Sequence, residues 1–282
     1  MDFYNTTIHT LMAGLNRCHL LKRKIRVGED MFDKNDILAL CRHIEQHLAA
    51  NAVELMKNDH AATVALIRFK NTPIVVKTYN PNKWRKYLSR GIRKSKALKS
   101  WEASKILSHK NIPTLTSIAT IEDKLLFFKI RSYFISTYVE GVSADEFFIS
   151  SDIDKEEKFA TALRIIKSIQ QLHDRRIFHG DPKNKNIIIR PDNIYLVDLD
   201  AVTYKRLVFN KKKKAIKDWR ALHYSWRHST ENREIFLRAY QESFSSEFYE
   251  KLLIALKKHR KKKEKKTRKK ERGFLPSHQP SR

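Results

Sequence analysis

The chain has 282 residues, 41% hydrophobic and 10% aromatic with only 6 glycines and 7 prolines, and this composition argues against wholesale disorder. The 58 Lys and Arg residues outnumber the 31 Asp and Glu residues, and the formal net charge of +27 indicates a polyanionic partner. Two cysteines make no disulfide framework, and no signal pattern or apolar run of membrane-spanning length is found. We therefore expect a cytoplasmic protein, with peripheral attachment to a membrane as the alternative.

The first part of the chain predicts a helix followed by a β-hairpin. Residues 34–50 carry apolar side chains at helical spacing, with Asn35 or Asp36 as the N-cap. The segments TVALIRF (63–69) and IVVKTY (74–79) flank the turn-like KNTP and predict two paired strands.

The rest of the chain predicts more helix than strand. A helix near 94–110 ends at Asn-Ile-Pro, and β-type segments follow at about 114–121 and 132–139. The stripe of apolar residues in 155–175 predicts the clearest helix. Three further helices are expected over 215–227, 230–243 and 245–260.

This order of elements predicts an α+β fold, with an antiparallel-sheet N-lobe and a mainly helical C-lobe. The expected divisions are an N-terminal extension with a helix (1–50), the N-lobe (51–140), the helical C-lobe (141–256) and a basic tail (257–282). The tail carries a formal charge of +11, which leaves +16 on residues 1–256, so the body of the protein is basic as well.

The stretch HGDPKNKNIIIRPDNIYLVDLD (179–200) places two carboxylates and an amide around an apolar run. Burying these groups without a cation is costly, and Mg²⁺ prefers such hard oxygen ligands. We expect Asn186 and Asp198 to hold the metal. Asp181 would face an acceptor hydroxyl as the base, and Lys183 would reach a transferring phosphate.

The pattern H-G-D-P-K-x-K-N followed by V-D-L-D resembles the catalytic and metal-binding loops of the protein-kinase-like superfamily. The resemblance implies a bilobal kinase fold that uses ATP with Mg²⁺. It also requires a strand lysine paired with a helix glutamate, and Lys77 in IVVKTY and Glu102 in KSWEASKIL occupy suitable positions. The segment FISTYVEG (134–141) resembles the hinge, where backbone groups of Thr137, Val139 and Glu140 would bind adenine.

The sequence departs from that pattern at three places. No glycine lies between positions 29 and 90, so MKNDHAAT (56–63), with Ala61 and Ala62, stands where a glycine-rich phosphate loop is usual. Asp200 occupies the position of the usual D-F-G glycine, and it either supports the metal or caps the next turn. No A-P-E segment follows, which favours an acceptor other than a peptide.

Within the superfamily, the combination of motifs most resembles the lipopolysaccharide-core kinases, which phosphorylate Kdo and heptose. The motifs are VVKTYN, WEASKIL, NIPTLTSIA, HGDPKNKNII, YLVDLD, WRALHYSW and IFLRAY, and the likeness covers about residues 60–243. It implies ATP-dependent phosphorylation of a sugar hydroxyl on an anionic glycolipid, by a monomer working at the cytoplasmic face of the inner membrane. Candidate contacts to the anionic substrate or membrane are Arg85, Lys86, Arg90, Arg93, Lys94 and Lys211 to Lys214.

Two other interpretations remain open. The first is another enzyme with the same motifs, either an atypical kinase of the RIO or Bud32 type or an antibiotic phosphotransferase. RIO and Bud32 proteins work with ribosomes or the tRNA machinery, which would also explain a basic body. A module with a retired kinase core would bind polyanions, and its basic tail would contact nucleic acid or anionic lipid. The presence of Lys77, Glu102, Asp181, Asn186 and Asp198 argues against a retired core.

Overall fold

The computed structural model describes residues 21–28, 31–58, 62–79, 94–125, 128–204 and 211–272. The chain forms two compact units. The first unit comprises the chain up to Glu140 together with Tyr195–Val202, and the second comprises Gly141–Ile194 and the chain from Thr203 onward. Together they contain an antiparallel sheet and a helical part, which confirms the predicted α+β class.

A six-stranded antiparallel sheet forms the first unit, in the order β1-β5-β6-β4-β3-β2. Its strands are β1 (Leu21–Val27), β2 (Ala52–Asn58), β3 (Ala62–Phe69), β4 (Thr72–Tyr79), β5 (Ser117–Leu125) and β6 (Phe128–Thr137). The predicted hairpin is confirmed, because β3 pairs with β4 along its whole length. Lys70 and Asn71 form the turn with φ values of 46° and 64°, the left-handed pair that suits a two-residue hairpin.

In the described part of the first unit, three helices accompany this sheet: α1 (Lys34–Arg42), α2 (Ile44–Asn51) and α3 (Lys96–His109). The prediction of one helix over 34–50 is corrected, because His43 leaves the helical region at φ −114° and ends α1. The predicted cap is also corrected. Asp33 is the N-cap, and its carboxylate accepts the N–H groups of Asn35 and Asp36. The apolar face of α1 packs on the sheet through buried Ile37, Leu40 and Cys41.

Strand β1 was not predicted, because Arg23 interrupts the apolar side of the alternation in LKRKIRV, and four of its seven residues are basic. The strand is held by ion pairs to β5. Arg23 donates to both carboxylate oxygens of Asp123 at 2.7 and 2.9 Å, and Arg26 donates to Glu122 at 2.9 Å. Both acids are almost fully buried, so the bidentate and paired arginines provide the compensation that buried carboxylates need.

The second unit is mainly helical and has an aromatic core. Its helices are α4 (Ala144–Ile149), α5 (Lys155–Asp174), α6 (Lys211–Ser225), α7 (Thr230–Ser243) and α8 (Ser246–Arg272). Trp226 stacks on Phe236 at a centroid distance of 5.2 Å and lies 4.9 Å from Phe148. Trp219 is 1% exposed and packs edge-on against Tyr240. The aromatic residues near the start of the C-terminal third therefore form core rather than an exposed stacking surface.

Helix α8 continues beyond the predicted end at 260 and includes much of the expected basic tail. Leu252 and Leu256 are its buried positions, whereas residues 260–265 are all exposed. No helix in the described part of the chain combines the length and apolarity needed to cross a membrane.

Candidate active site

The strand lysine predicted from the sequence lies on β4, where the backbone pairs with Val64 and Phe134 of the neighbouring strands. Its side chain is 14% exposed, and the ammonium contacts the carboxylate of Asp198 across 121 residues of chain. The ammonium also lies 5.2 Å from the ring centroid of Tyr79. The first unit therefore brings together two of the predicted charged residues, the cation of Lys77 and the carboxylate of Asp198.

Asp198 follows strand β10 (Ile194–Leu196) in the left-handed conformation, with φ 61° and ψ 60°. Aspartate tolerates this region better than most residues, although it is still unfavourable for a residue with a Cβ. A single 3₁₀ turn, Leu199–Ala201, comes directly after it. The turn carries Asp200, whose carboxylate pairs with Lys96 of α3 at 2.8 Å. The structure thus gives Asp200 an ion-pair partner that neither sequence hypothesis included.

Glu102 lies on α3, as predicted, but its partner differs from the expected one. Both carboxylate oxygens accept hydrogen bonds from Lys94, at 2.6 and 2.8 Å. Lys77 has Asp198 as its carboxylate partner instead. The Glu102 side chain is 40% exposed and that of Lys94 58%, so this pair lies in solvent, where an ion pair contributes little stability.

The segment predicted as a hinge, residues 134–141, includes the last four residues of β6 and the chain that follows the strand. The N–H of Thr137 donates to the Thr116 carbonyl at 3.0 Å, and its hydroxyl accepts the Thr116 N–H at 2.9 Å. The amide N–H of Thr137 is therefore engaged within the unit. Val139 and Glu140 come after the strand, half-buried and exposed respectively.

The predicted catalytic loop lies in the second unit, between strands β8 (Ile177–Phe178) and β9 (Ile187–Ile189). Strand β9 pairs with the short strand β7 (Val142–Ser143). Asp181 forms an ion pair with Lys183 at 2.6 Å. The side-chain amide of Asn186 donates to the Asp181 carbonyl at 3.0 Å. The loop therefore gathers all three residues that the sequence assigned to it. Gly180 has φ +86°, a conformation that explains why glycine precedes the proposed base.

Asp218, which the sequence analysis did not single out, anchors this loop. Located on α6 and 1% exposed, it accepts the backbone N–H groups of His179 and Gly180, each at 2.9 Å. It also bonds to Nε2 of His173 at 3.1 Å. The signal was present in the sequence, because Asp218 is the sole acid in KKKKAIKDWRALHYS, directly before a core tryptophan. An acid buried in such a basic helix needs partners.

The far end of the loop has a second anchor. The side chain of Asn184 donates to the carboxylate of Asp145, and Lys185 lies 3.4 Å from the same carboxylate. Asp145 sits in the first turn of α4, which a reciprocal capping box between Ser143 and Glu146 fixes. Acidic side chains from two helices thus hold the predicted catalytic loop at both ends.

Each of the two predicted metal ligands, taken by itself, carries an oxygen of the kind that a hard divalent cation prefers. Asn186 uses its amide nitrogen on the Asp181 carbonyl, which directs its oxygen away from that carbonyl. Asp198 offers a carboxylate that is 30% exposed. Amide and carboxylate oxygens are the donors that Mg²⁺ takes in nucleotide sites.

The remaining predicted contacts are those of the basic residues and of the segment expected to replace the phosphate loop. Residues 85, 86, 90 and 93 lie outside the described part of the chain, as do residues 59–61, which belong to the segment expected to replace the phosphate loop. Ala62 begins β3 and is buried. In the basic run that opens α6, Lys214 lies 3.3 Å from the Thr203 hydroxyl and 5.4 Å from the ring centroid of Phe178.

A comparison with known protein families shows which kinases this chain resembles. The profile described as "Lipopolysaccharide kinase (Kdo/WaaP) family" matches residues 76–248, a range that contains every charged site residue discussed above. The chain belongs to the lipopolysaccharide kinase (Kdo/WaaP) family. It is accordingly a kinase, and membership in the family implies the use of ATP.

Two individual proteins are similar to this Kdo/WaaP-family kinase. The probable serine/threonine-protein kinase YbdM of Bacillus subtilis (strain 168) is 28% identical over 129 residues, which are 45% of this chain and 46% of that protein. The chain therefore matches about half the length of that relative. The structure of WaaP in complex with acyl carrier protein matches with a TM-score of 0.58 at 15% identity, covering 86% of this chain and 98% of that one. This likeness confirms the predicted kinase-like fold.

Proposed function

We propose that this kinase transfers the γ-phosphoryl group of ATP to a sugar hydroxyl of the lipopolysaccharide inner core, on Kdo or heptose. The observation that carries the proposal is the contact between Lys77 on β4 and Asp198 after β10. Kinase-like enzymes use a strand lysine to bind the nucleotide phosphates and a carboxylate to hold the metal ion that accompanies them. Family membership supports the choice of acceptor class.

The proposed reaction makes and breaks one P–O bond. The oxygen of the sugar hydroxyl attacks the γ-phosphorus, the bond to ADP breaks, and the hydroxyl proton passes to the Asp181 carboxylate. Lys77 would neutralise charge on the nucleotide phosphates, and Lys183, 2.6 Å from Asp181, would do the same for the phosphoryl group in transfer. Positioning and electrostatics account for most of the rate in such reactions.

Mg²⁺ bound with the nucleotide would supply further charge neutralisation, and Asn186 and Asp198 are the residues that would hold it. Adenine contacts would come from backbone groups of Val139 and Glu140, with Thr137 contributing through its carbonyl. Glu102 would support Lys77 only after exchanging its present partner, Lys94.

Purified protein incubated with labelled ATP and core lipopolysaccharide tests the proposal. Transfer of label to the core is expected, and it should disappear in Asp181→Asn. Asp192→Asn is the matched control, because Asp192 is 50% exposed and paired with Arg190. Labelling of protein or ribosomal fractions without labelling of the core would refute the sugar acceptor.

A protein-directed kinase is the second candidate, since the similar Bacillus protein is described as a probable serine/threonine-protein kinase. The same assay separates the two, because acceptor proteins and autophosphorylation would then carry the label. A third candidate, a retired core that binds polyanions, predicts no transfer to any acceptor.

We also propose a protein partner and a membrane-proximal location. The similar WaaP structure was solved with acyl carrier protein, so a carrier protein is a candidate ligand for this strongly basic chain. An anionic membrane face is a candidate for the same charges. Cosedimentation with anionic vesicles, and gel filtration with acyl carrier protein, would test each one separately.

A further inference from the structure

Helices α6, α7 and α8 of the second unit, with the turn between α6 and α7, line an open cavity of about 490 Å³. This volume lies within the range of small-molecule sites, about 300 to 1,000 Å³. Part of the wall is apolar, formed by Leu237, Leu253, Leu256 and the ring of Tyr224. None of the residues assigned to nucleotide or catalysis lines this cavity, so it needs an explanation of its own.

The remaining wall is strongly cationic. Five permanent cations line it against two carboxylates: Arg220, Arg227, Arg233, Lys257 and Arg260 face Glu234 and Glu264. Glu264 is already paired with Arg260 at 2.8 Å. The guanidinium of Arg227 lies 5.1 Å from the ring centroid of Tyr224. The cations of this cavity therefore exceed the carboxylates available to neutralise them.

Three histidines share the same wall, and two of them report its electrostatic potential. Burial, followed by the charges of Arg233 and Arg260, lowers the pKa of His223 to about 4. Burial and the neighbouring cations, Arg220 first, also lower the pKa of His259. Both rings are therefore neutral near pH 7 in a site that disfavours further positive charge.

Two buried side-chain nitrogens in this wall have no hydrogen-bond partner among the described residues. Within the part of the chain that the structure describes, neither Nε of Arg220 nor Nδ1 of His223 has a hydrogen-bond partner. A buried guanidinium N–H without an acceptor is unfavourable and uncommon in native proteins. A ligand that brings anionic oxygens would satisfy this nitrogen and offset the excess charge together.

We infer that this cavity binds an amphiphile that carries a phosphate group. The phosphate would meet the guanidinium groups, whose planar forks match phosphate geometry, and the hydrocarbon part would lie against the three leucines. The site is independent of the proposed phosphotransfer, because it uses none of the same residues. Such a ligand could be a lipid or a soluble organic phosphate, and the two share this chemistry.

Calorimetric titration of the full chain tests the inference with three probes: dihexanoyl phosphatidic acid, dihexanoyl phosphatidylcholine and inorganic phosphate. Phosphatidic acid should bind, and more tightly than either of the others. Arg233→Gln and Arg260→Gln should each weaken that binding about tenfold or more, as expected for loss of a charge-assisted hydrogen bond. Arg238→Gln is the matched control, because it removes the same charge from α7 outside the cavity.

A second measurement uses the unmodified protein, so its result does not depend on whether the variants fold. Ring resonances of His223 and His259 in the unmodified protein should titrate at higher pH once phosphatidic acid is bound, because the anion offsets the nearby cations. Vesicles with and without phosphatidic acid then tell a bilayer lipid from a soluble ligand. Absence of phosphatidic acid binding, equal affinity for phosphatidylcholine or inorganic phosphate, or equal loss in Arg238→Gln would overturn the inference.

Discussion

Removing the carboxylate of Asp218 should damage the catalytic loop without touching any residue proposed to bind ATP or the sugar. One oxygen accepts the Gly180 N–H, and the other accepts both the His179 N–H and His173 Nε2. The side chain is 1% exposed, so water cannot readily replace it. The loop that carries Asp181 would lose its support on one side.

The size of the effect follows from counting orphaned donors. A buried donor left without a partner costs about 1 to 3 kcal/mol. Asp218→Ala orphans two backbone N–H groups and also removes the partner of His173 Nε2. The two backbone groups alone correspond to a loss of about 2 to 6 kcal/mol of unfolding free energy. In Asp218→Asn a single oxygen remains, and the amide group must face at least one N–H, which gives a loss of about 1 to 3 kcal/mol.

Urea denaturation and steady-state kinetics together test this reasoning. The midpoint should fall in the order wild type, Asp218→Asn, Asp218→Ala. A displacement of about 1 Å in the loop can lower kcat about 100-fold, whereas the affinity for ATP should change little. Asp174→Ala provides the control, because that acid is exposed at the end of α5. An Asp218→Ala protein as stable and active as this control would refute the anchoring role.

Three further predictions concern individual side chains. Asp181→Asn should lower kcat by about 10² to 10⁴, the usual contribution of a general base, with ATP binding retained in calorimetry; full activity would exclude Asp181 as the base. Lys77→Met should weaken ATP binding far more than Lys94→Met, because Lys77 contacts Asp198 whereas Lys94 pairs with the exposed Glu102, and equal effects would point to Lys94 instead. Because the pKa of His223 is lowered to about 4 in the folded state, the unfolded state binds the proton more readily. The contribution of His223 to the free energy of unfolding is therefore fully present above about pH 6.5. It falls by up to about 3 kcal/mol as the pH is lowered towards 4. Urea midpoints at pH 7.5 and 5 should differ less in His223→Gln than in wild type, and an unchanged difference would contradict this assignment.

The elements predicted well from the sequence are those set by local patterns. The β3-β4 hairpin depends on alternation around a two-residue turn, and α5 depends on one apolar stripe. The grouping of Asp181, Lys183 and Asn186 in one loop was predictable for the same reason, because they lie within six residues and are held by each other.

The features that escaped prediction depend on contacts distant in sequence. Strand β1 is stabilised by Arg23 and Arg26, which pair with acids of β5 about 100 residues away. The basic residues of β1 do not by themselves identify those partners. The anchoring by Asp218 spans 38 and 39 residues. Periodicity placed Glu102 on the correct helix, but it cannot decide which of several lysines an exposed carboxylate will choose.

The exposed residues 260–265 of α8 have one further consequence, which concerns ionic strength. Lysines and arginines recur there one turn apart, with Glu264 as a partner for Arg260, and like charges at that spacing repel one another. Dissolved salt weakens this repulsion, and the screening length at physiological concentration is about 8 Å. The helical content of this stretch should therefore rise as salt is added. A polyanion bound along this stretch would act as a local, concentrated counterion and would likewise raise its helical content.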